Sequence, residues 1–514
     1  MKKVLAVVLG VCMMVGLLAG FVQAAPAAGV SQEKLVVAVA AEPTGLVDAL
    51  AYTSNNGAVT SALFDTLVFY DSTDGGVRPM LAESWEMEDD VTAVIHLVQN
   101  AVDFEGNPIT TEDVLYSFQI GAESPSVAAW YQYYDVANFE IVDDYTMKIR
   151  TFRPYSQIIN VLSNKAFAIV SKDVTEAAGG AEACLQTAAN GTGMYKLQSW
   201  TQGENMILVR NEDYYGEKGY FDTIEFKFIP DAATRAASLQ SGEVQVAQGI
   251  AAATVDQINA TEGVSVKEMP APVVLAMAIN TGGKNAEAMS NPLVREALSY
   301  AINREAILMV SYMGHGEIAD SMFPSNSMYY QPAKTPYTYD PEKAKALLEE
   351  AGYGDGSLTV DILVNSVYNA TDAEVIQNNL QAVGVNCELE LLEIVSWIQA
   401  TWEGQYDCIP SNFFTSNPLD LTKTVDSRVD YNGRNFTGVK DEVADAIIER
   451  AEAAVDPEEA KAALNELNDY MVYDNFYCIP LVSAYTLLGM ADGITNVQLV
   501  TQGDHAYYGM LRVE

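Results

Sequence analysis

Val273-Val-Leu-Ala-Met-Ala-Ile-Asn280, a Thr281-Gly-Gly-Lys-Asn285 loop, and Ser290-Asn-Pro-Leu-Val-Arg-Glu-Ala-Leu-Ser-Tyr-Ala-Ile-Asn303 together decide the fold. The first run has the length and β-branched content of a strand buried on both faces. In the last, Asn291 is placed to cap a helix and Pro292 fits its first turn, where a missing N–H costs nothing. Val294, Ala297, Leu298, Ala301 and Ile302 then fall on one apolar stripe. A second helix is predicted from Asn303 to Gly314. A buried strand followed by amphipathic helices is the repeating unit of an α/β layer.

The same alternation extends toward the C-terminus. Asp340 caps and Pro341 opens a helix with an Ala344, Leu347, Leu348 and Ala351 stripe, closed by Gly352. Strands are predicted at 358–364, 385–392 and 406–414 around a helix at 372–383. Helices at 440–453 and 457–472 precede an apolar run, 478–488, with a polar middle at Ser483-Ala-Tyr485. Toward the N-terminus, strands are predicted at 35–41 and 224–229 and helices at 60–67 and 232–242. Thr110 with Asp113 forms a capping-box pattern. The glycines of Gly191-Thr-Gly193 lack the lysine and hydroxyl of a nucleotide loop, so they are taken as backbone turning space.

Residues 1–25 have the pattern of an export signal: Lys2 and Lys3, an apolar core interrupted by Gly10, Gly16 and Gly20, and an exit at Val22-Gln-Ala-Ala25. Leu18-Ala-Gly20 is followed by Phe21, not by a cysteine that could take a lipid, which favours a soluble exported protein. About 490 residues remain, enough for two or more lobes. The formal charge of −41 excludes phosphate-backbone binding, so no nucleic-acid partner is expected. Cys184, Cys387, Cys408 and Cys478 are irregularly spaced, three of them in apolar runs, and are read as buried thiols.

The inventory for catalysis is thin. His96, His315 and His505 are far apart without metal-helix spacing, and no Gly-x-Ser-x-Gly elbow occurs. Asp89-Asp90 and Asp143-Asp144 sit in turn-like stretches as solvated charge. No cofactor, metal site or catalytic residue is expected.

Ile279-Asn-Thr281 with Asn291 to Ile307, Val77-Arg-Pro-Met-Leu-Ala-Glu-Ser-Trp85-Glu, Asn190-Gly-Thr-Gly-Met-Tyr195 and Arg210-Asn-Glu-Asp-Tyr-Tyr-Gly216 occur in an order that resembles family 5 extracellular solute-binding proteins. These are the peptide and nickel-type receptors of ABC importers. The resemblance implies an α/β, two-lobed periplasmic-binding-protein-like fold with a hinge, whose first lobe carries an extra subdomain. Lobe 1 would span 26–272 and 486–514, with the extra subdomain at roughly 72–188; lobe 2 would span 273–485, the hinge lying near Pro270 to Pro272. It further implies a monomer that captures a small ligand, most plainly a peptide, and passes it to a membrane permease.

A cleft of this kind needs aromatic area and a few orienting polar groups. Asn412, Phe413, Phe414, Asn417 and Asp420 supply both at the end of a predicted strand, where α/β lobes present ligands. Peptide-binding relatives carry Asp-Pro where this chain has Asn417-Pro418, so the acid that would hold a ligand amine is missing unless Asp420 reaches the cleft. Arg434 is either a carboxylate clamp or a surface arginine paired with local acids. Trp397 lines the cleft or packs under its helix, packing being the commoner use. Glu42, Thr44, Asn56 and Tyr155 in the first lobe and Tyr485 in the closing crossover complete the candidate set. The rival from another class is a secreted peptide or glycoside hydrolase, which needs two carboxylates or a nucleophile and base converging in the cleft. A nickel-chelate or haem receptor is the rival among binders, disfavoured by the scarcity of histidine.

Overall fold

The computed structural model describes residues 30–51, 56–333, 338–414, 417–500 and 505–514; residues 1–25, expected above to be an export signal, lie outside the described residues. Twelve strands form its main sheet: Lys34–Val39 (β1), Tyr195–Thr201 (β2), Asn205–Arg210 (β3), Thr223–Phe228 (β4), Val246–Ala247 (β5), Val264–Pro270 (β6), Val273–Ile279 (β7), Gly316–Ile318 (β8), Thr359–Asn365 (β9), Asn386–Leu392 (β10), Cys408–Phe414 (β11) and Cys478–Ala491 (β12). Their order is β10-β9-β11-β7-β12-β5-β1-β4-β3-β2, with β6 and β8 also pairing with β12.

β12 joins two sub-sheets. Its first residues, Cys478 to Val482, pair with β7, whereas Tyr485 to Ala491 pair with β6. β6 and β7 are consecutive in the chain and are separated only by Ala271 and Pro272. Two adjacent connections therefore carry the chain between the halves, one at 271–272 and one inside β12. Buried Arg295 and Arg304 tie the flanking helices to this region by donating to the Asn475 and Pro480 carbonyls at 2.7 Å each.

The opening stretch folds as its pattern dictates. Asn291 accepts from Leu293 N at the start of helix Pro292–Ala301, and the stripe Val294, Ala297, Leu298, Ala301 and Ile302 is fully buried. β7 is buried on both faces. Leu275, Met277 and Ile279 join the core under this helix, while Val274, Ala276 and Ala278 join a larger core on the other side. The connecting loop is held by buried Asp407, which accepts from Asn285 N at 2.7 Å and from Asp361 N at 2.9 Å.

That larger core includes a separate antiparallel sheet, Ala82–Asp89, Thr92–Leu97, Thr146–Arg150 and Glu140–Asp143 in spatial order, through Ile95, Leu97, Met147 and Ile149. The Thr110 and Asp113 capping box starts helix Thr111–Glu123 as expected. All four described cysteines are buried thiols.

Three local expectations need correction. The helix predicted at 60–67 spans Gly57–Leu63, because the chain extends again at Phe64. The last helix ends at Asp469 and continues as a π turn, Tyr470–Asp474. Gly191 and Gly193 are required by close approach, not by turning: a Cβ at Gly193 would lie 2.5 Å from the Ala62 carbonyl, and Gly193 N donates to Leu63 O at 2.9 Å.

Candidate ligand-binding site

The parallel strands β9, β10 and β11 end on the same edge, at Asn365, Leu392 and Phe414. Just beyond β11, Asn417 caps the short helix Pro418–Thr422, accepting from Leu419 N at 3.1 Å. Pro418 is pre-set for the first helical position. This helix projects Asp420 and, one turn on, Lys423, whose Nζ lies 2.7 Å from Asp420 Oδ1.

Facing it is the segment after Arg150. Phe152 N donates to the Tyr133 carbonyl at 3.1 Å, which brings Tyr133 beside Tyr155. Their rings stack at 4.4 Å with 6° between planes, and Tyr134 meets Tyr155 edge-on at 6.4 Å. The Asn417 amide donates to the Tyr155 hydroxyl at 3.3 Å, and Lys423 Nζ stands 5.9 Å from the Tyr133 ring centre. Alongside, Ser156 Oγ donates to Ala451 O at 3.0 Å, Gln157 Nε2 to the Tyr329 hydroxyl at 2.9 Å, and Arg153 pairs with Glu452 at 3.5 Å. The two halves thus meet along residues 153–160.

Burial holds both Tyr133 and Tyr155 above the ordinary tyrosine value, so they present neutral hydroxyls. For Lys423, burial pulls its pKa down, but Asp420 and then Tyr133 outweigh that and the net direction is upward. Lys423 therefore carries its charge at neutral pH. Lys423 is about 25% and Asp420 about 39% exposed at the side chain.

The expected residues divide into those this geometry gathers and those it uses elsewhere. Tyr155, Asn417 and Asp420 come together. Phe414, 50% exposed, stands at the same strand edge, as do Trp397 and exposed Val395 on helix Ile394–Glu403. Trp397 packs against the core with its shielded Nε1 lacking a hydrogen bond among the described residues. Phe413 is core, packed edge-on to Phe436 at 6.1 Å, and Asn412 is half-buried opposite Leu275.

Glu42 is occupied: it accepts from Trp200 Nε1 at 2.6 Å and Gly203 N at 2.9 Å, stapling the β2–β3 hairpin. Buried Asn56 accepts from Thr44 N and donates to Gly45 O, so both belong to a loop-to-helix joint. Arg434 is exposed in a left-handed turn (φ 85°), with no ion pair among the described residues. Tyr485 lies at the crossover, donating to Glu317 Oε1 at 2.9 Å, beside the His315–Glu268 contact at 3.1 Å. Tyr133 and Lys423 had no sequence signal of their own; only the i,i+3 spacing of Asp420 and Lys423 hinted at the pair.

A second polar cluster lies inside the first half. Buried Asp65 accepts from the Tyr214 and Tyr215 hydroxyls at 2.8 Å each, and burial pushes its pKa up to about 6 against the pull of Lys165. Asp48, 2% exposed, is pushed up to about 7 by burial. The nearby Thr60 hydroxyl donates to the Asn56 carbonyl, and the Asp48 oxygens have no hydrogen bond among the described residues. Lys165, itself lowered by burial, supplies the opposing charge. Among the described residues no three His, Cys, Asp or Glu side chains converge in metal-binding geometry, and no helix is long and apolar enough to cross a membrane.

Residues 76–431 match the middle region of the bacterial extracellular solute-binding proteins, family 5. The chain belongs to this family. It is 29% identical over 434 residues to a dipeptide-binding protein of Escherichia coli K12, covering 76% of this chain and 79% of that protein. It is 30% identical over 383 residues to the glutathione-binding protein GsiB of Salmonella typhimurium LT2, covering 73% and 72%. The structure of HbpA2 from Haemophilus parasuis superposes with a TM-score of 0.83 at 25% identity, over 94% of this chain and 100% of that one. The two-lobed fold of family 5 proteins accounts for the paired sub-sheets and the double crossover. A family 5 member binds a solute, and the ring wall and polar helix described above face one another across the junction of the halves.

Proposed function

We propose that this chain is an exported receptor that captures a short peptide between its two lobes and delivers it to an ABC importer. The observation that carries this is the Tyr133–Tyr155 stack set against Asn417, Asp420 and Lys423 at the C-terminal edge of the parallel strands. Aromatic faces supply area and the polar helix supplies direction. The first lobe spans 26–272 and 486–514 and carries an extra subdomain at roughly 72–188, and the second spans 273–485. Closure about these two connections removes ligand surface from water, and the closed shape is what a permease would recognise. Micromolar affinity corresponds to about −8 kcal/mol, within reach of one such pocket.

The hydrolase alternative needs an activated group at this place. The acids and bases gathered here, Asp420 and Lys423, neutralise each other, and His96, His315 and His505 lie on other elements. The experiment is native mass spectrometry of the protein purified without refolding and then exposed to a mixed peptide pool. Retained peptide masses with an unchanged pool support the receptor; catalytic loss of substrate supports the hydrolase; a retained metal chelate supports the nickel-type alternative.

A further inference from the structure

β12 passes from one half to the other at Ser483 to Thr486, and four polar side chains gather at that crossover. Glu268 comes from β6 in the first half, directly opposite Leu487. His315 comes from the second half, one residue before β8, where Met313 and Gly314 turn the chain in left-handed backbone (φ 52° and 88°) after helix Arg304–Tyr312. Its Nδ1 lies 3.1 Å from Glu268 Oε1. Tyr485 donates its amide to the His315 carbonyl at 3.2 Å and its hydroxyl to Glu317 Oε1 at 2.9 Å. Side chains two apart on a strand point the same way, which sets Glu317 on the His315 side.

The fold makes the His315–Glu268 contact depend on the angle between the halves. Glu268 is fixed to β12 beyond the crossover, whereas His315 is anchored before it through the Gly316–Ala484 and Glu317–Ser483 pairs. A turn about Ser483 to Thr486 therefore moves imidazole and carboxylate relative to one another. In this structure the halves touch along residues 153–160, with the Asn417 amide on Tyr155, so the contact belongs to the drawn-together arrangement.

We propose that His315 and Glu268 form an acid-strengthened latch across the hinge: protonation of the imidazole turns their contact into an ion pair between the halves, and the receptor holds its ligand more firmly in acid than in alkaline surroundings. This rests on the closing motion proposed above and adds its regulation. Histidine is the side chain whose charge changes between about pH 5 and 8. A neutral ring offers Glu268 at most a hydrogen bond, whereas the cation is drawn to Glu268 and Glu317 together. The other charged groups on the neighbouring elements are engaged or turned away. Lys267 points from the opposite face of β6, and buried Arg304 donates to the Pro480 and Ser299 carbonyls. Asp372 accepts from the Tyr312 hydroxyl, and exposed Glu305 sits at the far end of the helix. Tyr485, pushed up to about 12 by burial and then by its bond to Glu317, stays a neutral donor throughout. The ion pair is thus present below the histidine range and lost above it. With side chains 18% and 34% exposed, solvent screens it, and its effect on the balance of open and closed forms is about two- to fivefold.

The test uses the full chain at about pH 5.5 and about pH 8. Small-angle X-ray scattering of the ligand-free protein reads how closely the halves are drawn together, and native mass spectrometry with a mixed dipeptide pool reads capture. Wild type should be more compact at the lower pH and retain about two- to fivefold more peptide there. His315→Gln and Glu268→Gln, each removing one charge, should show the alkaline behaviour at both pH values. His315→Lys, a permanent cation, should show the acid behaviour at both. Other carboxylates of this acidic chain also titrate, so the latch is the part of the wild-type response that both Gln variants lose. A response that survives undiminished in either Gln variant, or wild-type scattering that is the same at both pH values, would overturn the proposal. Retention that stays constant while the scattering shifts would overturn its link to capture. Retention of no peptide would refute the peptide reading, and the scattering alone then decides the latch. Thermal melting of each variant in the alkaline buffer separates a folding defect from a lost latch.

Discussion

Asp48→Asn is expected to make the protein more stable in alkaline than in acidic buffer relative to wild type. Asp48 is 2% exposed, and its pKa in the folded protein is pushed up to about 7 from 3.8, chiefly by burial. The folded state therefore holds a proton that the unfolded state has already released. Its contribution to stability is fully present below pH 3.8 and is lost as pH rises to 7, after which it changes no further. A shift of roughly three units at 1.36 kcal/mol each gives about 4 kcal/mol across that window. An amide carries no such cost. The attraction of Lys165 is already contained in that shift, so the expected difference stays at about 4 kcal/mol. The assay is urea unfolding of both proteins, ligand-free, at pH 4, 6 and 8. Any fixed penalty from the new amide group cancels when the difference between the two proteins is compared across pH. A difference that stays constant from pH 4 to pH 8 would refute the assignment of a buried, proton-holding Asp48.

Three further outcomes follow from other contacts. Tyr155→Phe keeps the stacked ring but removes the hydroxyl that meets buried Asn417, and should weaken ligand binding about three- to tenfold by calorimetry and lower stability by about 1–3 kcal/mol through the unpaired amide. Gly283→Ala drives a methyl into the Tyr406 carbonyl in the loop held by Asp407, and should cost about 3 kcal/mol by urea midpoint. Arg434→Gly relieves a left-handed backbone at an exposed site and should raise stability by about 1 kcal/mol without altering ligand affinity. A loss of affinity in that variant would restore the carboxylate-clamp role.

The chain's local order was legible in its residues because caps, prolines and apolar periods act over a few positions. Asn291-Pro292, Asp340-Pro341 and the Thr110–Asp113 box each begin the helices they mark. The ordered motifs from Val77 to Ile307 placed the chain in its family. Element ends were less legible: helix Gly57–Leu63 gives way to extended backbone at Phe64, where Gly191 and Gly193 bring a distant segment against its last turn. The proposed site was legible in part. Asn417 and Asp420 follow β11 directly, so a strand-end rule finds them. Glu42 and Tyr485 looked equally suitable, yet a hairpin tryptophan holds one and Glu317 the other.

Sequence alone determined which elements form, which side chains each must bury, and that two lobes joined by a crossover result. Tertiary structure alone decided which polar groups remain free for a ligand. That choice depends on partners far along the chain: Trp200 for Glu42, Tyr155 for Asn417, and Tyr133 from the other half for Lys423. A side chain's residue type states what it can bond, but its availability is set by which neighbours folding brings within about 3 Å.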